Sequence, residues 1–266
     1  MIRAPTDTVW NDRDLANPHA VADKRRRVQR MFAAIAPRYD VNNRLHSAGL
    51  DQHWRRRAVA LSQLRPADRV VDVACGTGDL SLAYRRGLLD AATAHNLPPD
   101  GGVLGIDFTF EMLPLAERKA CRIQPPESRR MRFMAGDAQR LPLPDACCDV
   151  VSIAFGIRNV ADPAMALREF YRVLRPAGRV VVLEFSLPAN PFLRGLYNFY
   201  FHQILPRTAT LISGDRSGAY KYLPRSVGTF MPRPAMLDAL RSAGFQDATA
   251  HPMTFGIAVV YRAIKT

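Results

Sequence analysis

Val70–Asp79 reads V-V-D-V-A-C-G-T-G-D. Val70, Val71 and Val73 form a short β-branched run, the pattern of a buried strand. The run ends in small residues and two glycines, Gly76 and Gly78. Leu80, Leu82, Ala83 and Tyr84 then open a helical pattern. Strand, glycine turn and helix start make a corner where a ligand can approach the backbone closely. The free N–H groups of the helix start add a small positive field there.

Outward from this corner, strands and helices alternate. The pattern predicts a strand at Arg69–Ala74, a helix around Thr77–Arg86, and a surface insertion at Gly87–Gly102, which is long for an αβ connection. A strand at Val103–Asp107 and a helix around Phe110–Cys121 follow, then a loop at Pro125–Pro126 and a short strand at Met131–Ala135. Pro142, Pro144 and Asp145 mark a turn. A strand at Asp149–Phe155, a helix around Pro163–Leu174 and a strand at Arg179–Phe185 complete the alternation. Such alternation implies an α/β fold with a parallel sheet and right-handed crossovers. Residues 187–230 break the rhythm and are rich in aromatics, Pro and Gly. They read as a helical insertion over the carboxyl edge of the sheet. A helix at Pro234–Ala243 and strands near Phe245–His251 and Gly256–Ala263 close the chain.

Ahead of the sheet, residues 1–22 are polar and turn-rich and read as loosely ordered. From Asp23 the apolar residues Val28, Met31, Phe32 and Ile35 recur at helical spacing, with Lys24, Arg25, Arg26 and Arg30 on the other face. Such a basic amphipathic helix either lies on a membrane or packs its stripe on the core. A second helix is expected over Leu45–Leu64. Residues 23–64 thus form a helical lid within one domain spanning 23–266.

The 266 residues and their 48% apolar, 23% charged composition are those of an ordinary α/β protein with a sizeable core. No run reaches the roughly 18 apolar residues of a spanning helix, and the N-terminus shows no apolar secretory region. The expected location is cytoplasmic, with a peripheral place at the inner face of the membrane as the alternative. Cys75, Cys121, Cys147 and Cys148 form no C-x-x-C pair and read as reduced thiols; no metal site is expected. The net charge of +13 attracts polyanions, with clusters at Lys24–Arg27, Arg55–Arg57 and Arg129–Arg132. No nucleic-acid module accompanies it, so nucleic acid is not the expected partner.

In an open α/β sheet, ligands bind beyond the carboxyl ends of the strands. Here those ends carry Gly76, Thr77, Gly78 and Asp79, then Asp107 with Phe108, then Asp137 with Ala138, and finally Phe155, Gly156, Arg158 and Asn159. An acid ending the second strand can accept two ribose hydroxyls. The acid after the third suits the exocyclic amine of adenine, with apolar neighbours over the ring. A dinucleotide fingerprint lacks its third glycine here, and no G-K-[ST] follows for a triphosphate. Asp72 and Asp79 would repel a pyrophosphate but tolerate the amino group and sulfonium of S-adenosylmethionine. Charge sign therefore favours that cofactor.

V-D-V-A-C-G-T-G-D-L-S, G-D-A-x-x-L-P and R-V-L-R-P-A-G-R resemble class I S-adenosylmethionine-dependent methyltransferases. More specifically, residues 31–45, F-G-I-R-N-V-A-D at 155–162, V-L-E-F-S-L-P at 182–188, H-Q-I-L-P-R at 202–207 and Y-K-Y-L-P-R-S at 220–226 resemble the ubiquinone/menaquinone biosynthesis C-methyltransferases, the UbiE/MenG family. The resemblance runs from about residue 28 to the end. It implies a Rossmann-like fold of seven strands, the last antiparallel. It also implies C-methylation of a polyprenylated quinol, demethylmenaquinol first and the benzoquinol of ubiquinone synthesis as the alternative. Other readings are a methyltransferase for another small molecule, a cofactor-binding protein without catalysis, and an RNA-binding relative. No D/N-P-P-[YFW] follows the fourth strand and no Cys sits where C5 attack needs one, which disfavours base methylation.

A quinol carbon ortho to an ionised hydroxyl is already nucleophilic, and orientation supplies most of the advantage. Arg158 is the candidate cation beside the phenolate, or else a structural partner of Asp162. Asn159 touches substrate or simply turns the chain. Tyr39 and Asp40 match the family's N-terminal lid motif, or merely end a helix after Pro37. His202 shuttles a proton or is packed; Tyr220 and Tyr222 line the quinone pocket or the core. Asp72 anchors the glycine turn while facing the cofactor. Cys147 and Cys148 are assigned packing only. Cys75 and Ala154 depart from the usual Gly and Ser of the family. The basic helices would meet the membrane where the substrate lives, and a homodimer is possible.

Overall fold

The computed structural model describes residues 9–266 apart from 12, 123–129 and 214–216. The expected loop at Pro125–Pro126 lies outside the described residues. One seven-stranded sheet organises the rest, in the order β3-β2-β1-β4-β5-β7-β6. Its strands are β1 (Arg69–Val73), β2 (Gly102–Asp107), β3 (Met131–Ala135), β4 (Cys148–Ala154), β5 (Leu174–Phe185), β6 (Gln246–Met253) and β7 (Ala258–Ile264). β1 pairs in parallel with β2 and β4, and β5 with β4; β7 runs antiparallel to both β5 and β6. The last strand is thus antiparallel, as the family resemblance implies.

Val150, Val151, Ile153 and Val180–Leu183 are buried along their whole length, because helices cover both sheet faces. The chain order reverses between β1 and β4. Their carboxyl ends therefore open a crevice, which is the switch point where such sheets bind ligands.

The helices that shape this edge are α1 (Lys24–Ile35), α2 (Tyr39–His46), α3 (Leu50–Leu61), α4 (Asp79–His95) and α5 (Leu113–Cys121). Next come α6 (Pro163–Val173), α7 (Pro191–Phe199), α8 (Leu205–Ser213), α9 (Ala219–Gly228) and α10 (Arg233–Ser242). A π-helical turn at Tyr200–Ile204 joins α7 to α8.

Four sequence expectations change. The helix expected over Leu45–Leu64 is two helices, broken at Gly49, which takes φ +77°. Tyr39 and Asp40 open α2 and do not end α1. The insertion expected at Gly87–Gly102 is mostly the second half of α4. Leu80, Tyr84, Leu88 and Ala92 recur every four residues and are all buried. Gly87 stays in the helix because α3 packs there; a Cβ would fall 2.6 Å from Val59 Cγ1. Finally, the N-terminal arm is not loose from residue 9 on. Trp10 and Leu15 are buried, and the Trp10 ring stacks on Tyr222 with centroids 4.6 Å apart.

The basic face of α1 is only partly a free surface: Arg26 and Arg30 are exposed, but other members are engaged. Lys24 is buried and donates to the carbonyls of Arg158 (2.9 Å) and Val160 (2.6 Å). Burial, and then the field of Arg158, bring its pKa down to about 8. Arg27 pairs with Asp14 and Asp23, both at 2.7 Å.

Candidate active site

Two cavities open at the carboxyl edge. The smaller, of about 100 Å³, lies on the glycine corner. Gly76, Asp107, Phe108, Asp137, Ala138, Tyr39 and Asn159 line it, as their sequence positions suggest. Asp107 Oδ2 accepts the Gly76 N–H and Oδ1 accepts the Thr109 N–H, each at 2.7 Å. Burial raises the Asp107 pKa, while these amide bonds hold it down.

Asp72, Thr77 and Gly78 do not line the cavity but build its floor. Gly78 takes φ +84° at the start of α4. Thr77 Oγ1 donates to Asp40 Oδ1 (2.5 Å) and accepts from Lys119 Nζ (2.9 Å). Lys119 also bonds Asp79 (2.6 Å) and Asp40 (2.5 Å). This cluster ties α2 and α5 to the corner. It also pairs the charge of Asp79 with Lys119, so the sign argument drawn from Asp79 loses its force, and for Asp72 it holds only for the ionised form.

Asp72 is buried beneath the turn. Ser81 Oγ donates to its Oδ2 at 2.5 Å, and its Oδ1 has no partner. Burial raises its pKa to about 7, with Ser81 and Arg55 opposing and Asp107 adding. The folded protein therefore binds this proton more tightly than the unfolded chain, whose value is 3.8. Asp72 stabilises the fold fully only at low pH. Stability is lost as pH rises from about 4 to about 7, by up to on the order of 4 kcal/mol. Asp72→Asn removes this slope. In cofactor-free protein, the Tm of the variant relative to wild type should climb between about pH 4 and pH 7 and level off above. A pH-independent difference would assign the slope elsewhere.

A residue that the sequence reading missed closes this cavity. Arg25 stacks 4.4 Å from the Phe108 ring centroid and bridges Asp137 at 2.9 Å. Gln29, one turn on, donates to the Phe108 carbonyl at 3.2 Å. The signal was present as an arginine on the polar face of α1, but only the fold shows what it meets.

The larger cavity, of about 360 Å³, lies under α1, α2, α3 and the 187–230 insertion. Phe32, Tyr39 and Phe155 line both cavities and form the partition. Phe155 packs against Phe185, with ring centroids 4.5 Å apart. The walls are dominated by Met31, Ile35, Trp54, Leu193, Tyr197 and Phe201. Burial pushes the Tyr39 phenol up, so it stays neutral.

Two buried ion pairs interrupt these apolar walls. Arg158 Nη1 meets Glu184 Oε1 at 2.5 Å and donates to the Phe155 carbonyl at 2.8 Å. Its partner is thus Glu184, not Asp162, whose side chain caps α6. Arg55 meets Asp51 at 2.5 Å on α3, a pair absent from the sequence reading. Tyr220 lines the cavity, and its hydroxyl takes a 2.6 Å bond from Asn42. Asn159 lies in the wall of the smaller cavity and is held by the Tyr222 hydroxyl at 2.9 Å.

His202 is not in the site. It is exposed and bonds the Asn198 carbonyl one turn back. The buried stripe here is Tyr197, Phe201, Leu205 and Ala209, four residues apart, and His202 falls one position off it. His46 lines the cavity instead, with Nε2 on Thr208 Oγ1 at 2.9 Å.

Residues 20–265 carry the pattern of one family across this whole arrangement. The chain belongs to the ubiE/COQ5 methyltransferase family. It is 45% identical over 233 residues to a demethylmenaquinone methyltransferase of Thermus thermophilus, covering 87% of this chain and 98% of that one. It is 43% identical over 236 residues to a demethylmenaquinone methyltransferase of Deinococcus radiodurans, covering 89% and 91%. A ubiquinone/menaquinone biosynthesis C-methyltransferase UbiE of Geobacter sulfurreducens is 40% identical over 247 residues, covering 93% and 91%. Among solved structures, a SAM-dependent methyltransferase of Thermotoga maritima aligns with TM-score 0.56 at 21% identity, covering 90% and 100%. One from Aquifex aeolicus gives TM-score 0.56 at 15% identity, covering 80% and 89%. These two establish the Rossmann-like methyltransferase fold.

S-adenosylmethionine is the methyl donor of the ubiE/COQ5 methyltransferases, and the smaller cavity has the chemistry to hold it. A Cβ at Gly76 would meet nothing within 4 Å, so the corner is open to a ligand. Asp107 is buried at that corner with both oxygens already oriented by backbone amides.

Proposed function

We propose that this protein transfers a methyl group from S-adenosylmethionine to a ring carbon of demethylmenaquinol. The carrying observation is the pair of cavities that meet at Phe32, Tyr39 and Phe155, one on the acid-lined glycine corner and one apolar with two buried arginine–carboxylate pairs at its wall. In this reading Asp107 receives the ribose hydroxyls. Phe108 and Ala138 flank the base, and Asp137 faces it while pinned by Arg25. The bound cofactor supplies a methyl group activated by its sulfonium.

The chain's own residues then do the rest. The aromatic walls take the naphthoquinol ring and exclude water, which strengthens every charge interaction inside. Arg158, held rigid by Glu184, faces a quinol oxygen and favours its ionised form. Ionisation raises electron density at the ortho carbon, which is the nucleophile; as this carbon takes the methyl group it gives up its ring proton to water, which restores the aromatic ring, and S-adenosylhomocysteine is left. Tyr39 and Tyr220 set the ring's position.

The polyprenyl tail keeps such a substrate in a bilayer, so the protein works at a membrane surface. No helix among the described residues is long and apolar enough to cross a membrane. The test is incubation with methyl-labelled S-adenosylmethionine and either reduced demethylmenaquinol or the demethylated benzoquinol, in liposomes. Label is expected in the naphthoquinol. Label only in the benzoquinol would move the protein to ubiquinone synthesis, and label in neither would overturn the reading.

A further inference from the structure

α7 carries an apolar stripe that no part of the described chain covers. Phe192 is 73% exposed, Leu196 53% and Phe199 61%, at spacings of four and three on one helical face. The other side is packed, because Tyr197 of α7, and Phe201 and Leu205 just beyond it, are buried in the cluster that contains Trp10 and Tyr220. The stripe is therefore a property of a seated helix. Single exposed apolar residues are ordinary, whereas a row of them marks an interaction site.

The stripe is continuous with the larger cavity. Leu196, Leu50 and Phe255 are exposed and also line that cavity, so they stand at its mouth. Phe255 is 77% exposed and takes φ +57°, in the left-handed region. The exposed charge of α7 and of the segment that follows it has one sign. From Phe185 to Gly214 the sequence holds no Asp or Glu, while Arg194, His202 and Arg207 are exposed there. An apolar stripe with cationic flanks matches a bilayer containing anionic headgroups.

We infer that α7 and the rim formed by Leu50, Leu196 and Phe255 dock onto an anionic lipid surface, with Phe192 and Phe199 inserting at the headgroup boundary. The occupant follows from the proposed quinol substrate, because the cavity mouth then faces the phase that holds the prenyl tail. On the basic face of α1, Lys24, Arg25 and Arg27 are engaged with protein groups, which leaves Arg26 and Arg30 exposed without an apolar stripe beside them.

The test uses the full chain and vesicles of phosphatidylcholine with or without phosphatidylglycerol, read by co-sedimentation. Wild type should bind the phosphatidylglycerol vesicles. F192S/F199S should lower the partition coefficient by about tenfold or more at unchanged Tm, whereas R26E/R30E should retain most of it. Neither phenylalanine lines either of the two cavities at the carboxyl edge, so methylation of a short-chain soluble quinol should persist in F192S/F199S. Equal vesicle binding by F192S/F199S, or no binding by wild type, would overturn the inference. So would a solution dimer that F192S/F199S dissolves, because the stripe would then serve a second copy. If neither protein methylates the soluble quinol, the substrate reading fails while the vesicle result still decides the surface.

Discussion

Glu184→Gln should destabilise the protein by about 3–5 kcal/mol and abolish most of its activity. The Glu184 side chain is 1% exposed and that of Arg158 5%, so neither charge has water to fall back on. Glu184 accepts from Arg158 Nη1 and also from the backbone N–H groups of Phe185 (2.8 Å) and Arg158 (3.3 Å). A glutamine keeps one acceptor, turns an NH2 toward one of these donors, and leaves the guanidinium buried without a counter-charge. For a chain of this size the loss corresponds to a fall in Tm of roughly 10 °C. R158M/E184L removes both charges and should recover much of the stability, because a buried pair is close to neutral against apolar replacements. It should not recover turnover. A double variant with wild-type kcat would show that Arg158 only holds the loop after β4, and would remove it from the chemistry.

The strands and their terminal acids were legible because each depends on local pattern. A β-branched run needs burial on both faces, and β1, β2, β4 and β5 lie within a few residues of their expected places. Asp107, Asp137 and Gly76 follow directly, since a strand end fixes where its next residue points. The partners of charged side chains were not legible. Lys24 and Arg25 sit in one basic run, yet one is buried on carbonyls and the other closes the smaller cavity. Sequence records the run as a solvated face, and only the packing of α1 against residues 107–109 and 158–160 separates the two. Asp51 and Arg55 are an ordinary i, i+4 pair on paper; what makes them notable is that α3 turns them into an apolar cavity. His202 failed for the opposite reason. Its motif placed it among pocket residues, but the π-turn and the four-residue period of the buried stripe point it outward.

The second large effect is expected at Asp107. Asp107→Ala should weaken S-adenosylmethionine binding by about a hundredfold in calorimetry, the loss of two charge-assisted hydrogen bonds plus the stranding of two amides. Asp107→Asn should be nearly as harmful. The carboxylate gives one oxygen to Gly76 and the other to Thr109, and an amide has only one oxygen to offer. The decisive comparison is S-adenosylhomocysteine, which has the same ribose but no sulfonium charge. If Asp107 acts as a hydroxyl acceptor, both ligands lose the same factor. If it acts by attracting the positive sulfur, S-adenosylmethionine loses more. The geometry favours the first result, because the carboxylate is anchored at the end of β2 by amides that already disperse its charge. Asp72 is the contrasting case, with one oxygen unpaired and a pKa of about 7. A cation over the corner favours its ionised form, so uptake of the charged ligand should release a proton below about pH 7, and uptake of S-adenosylhomocysteine should release less. Calorimetry in buffers of different ionisation enthalpy separates the two acids: Asp107→Asn should leave the proton release in place, and Asp72→Asn should remove it.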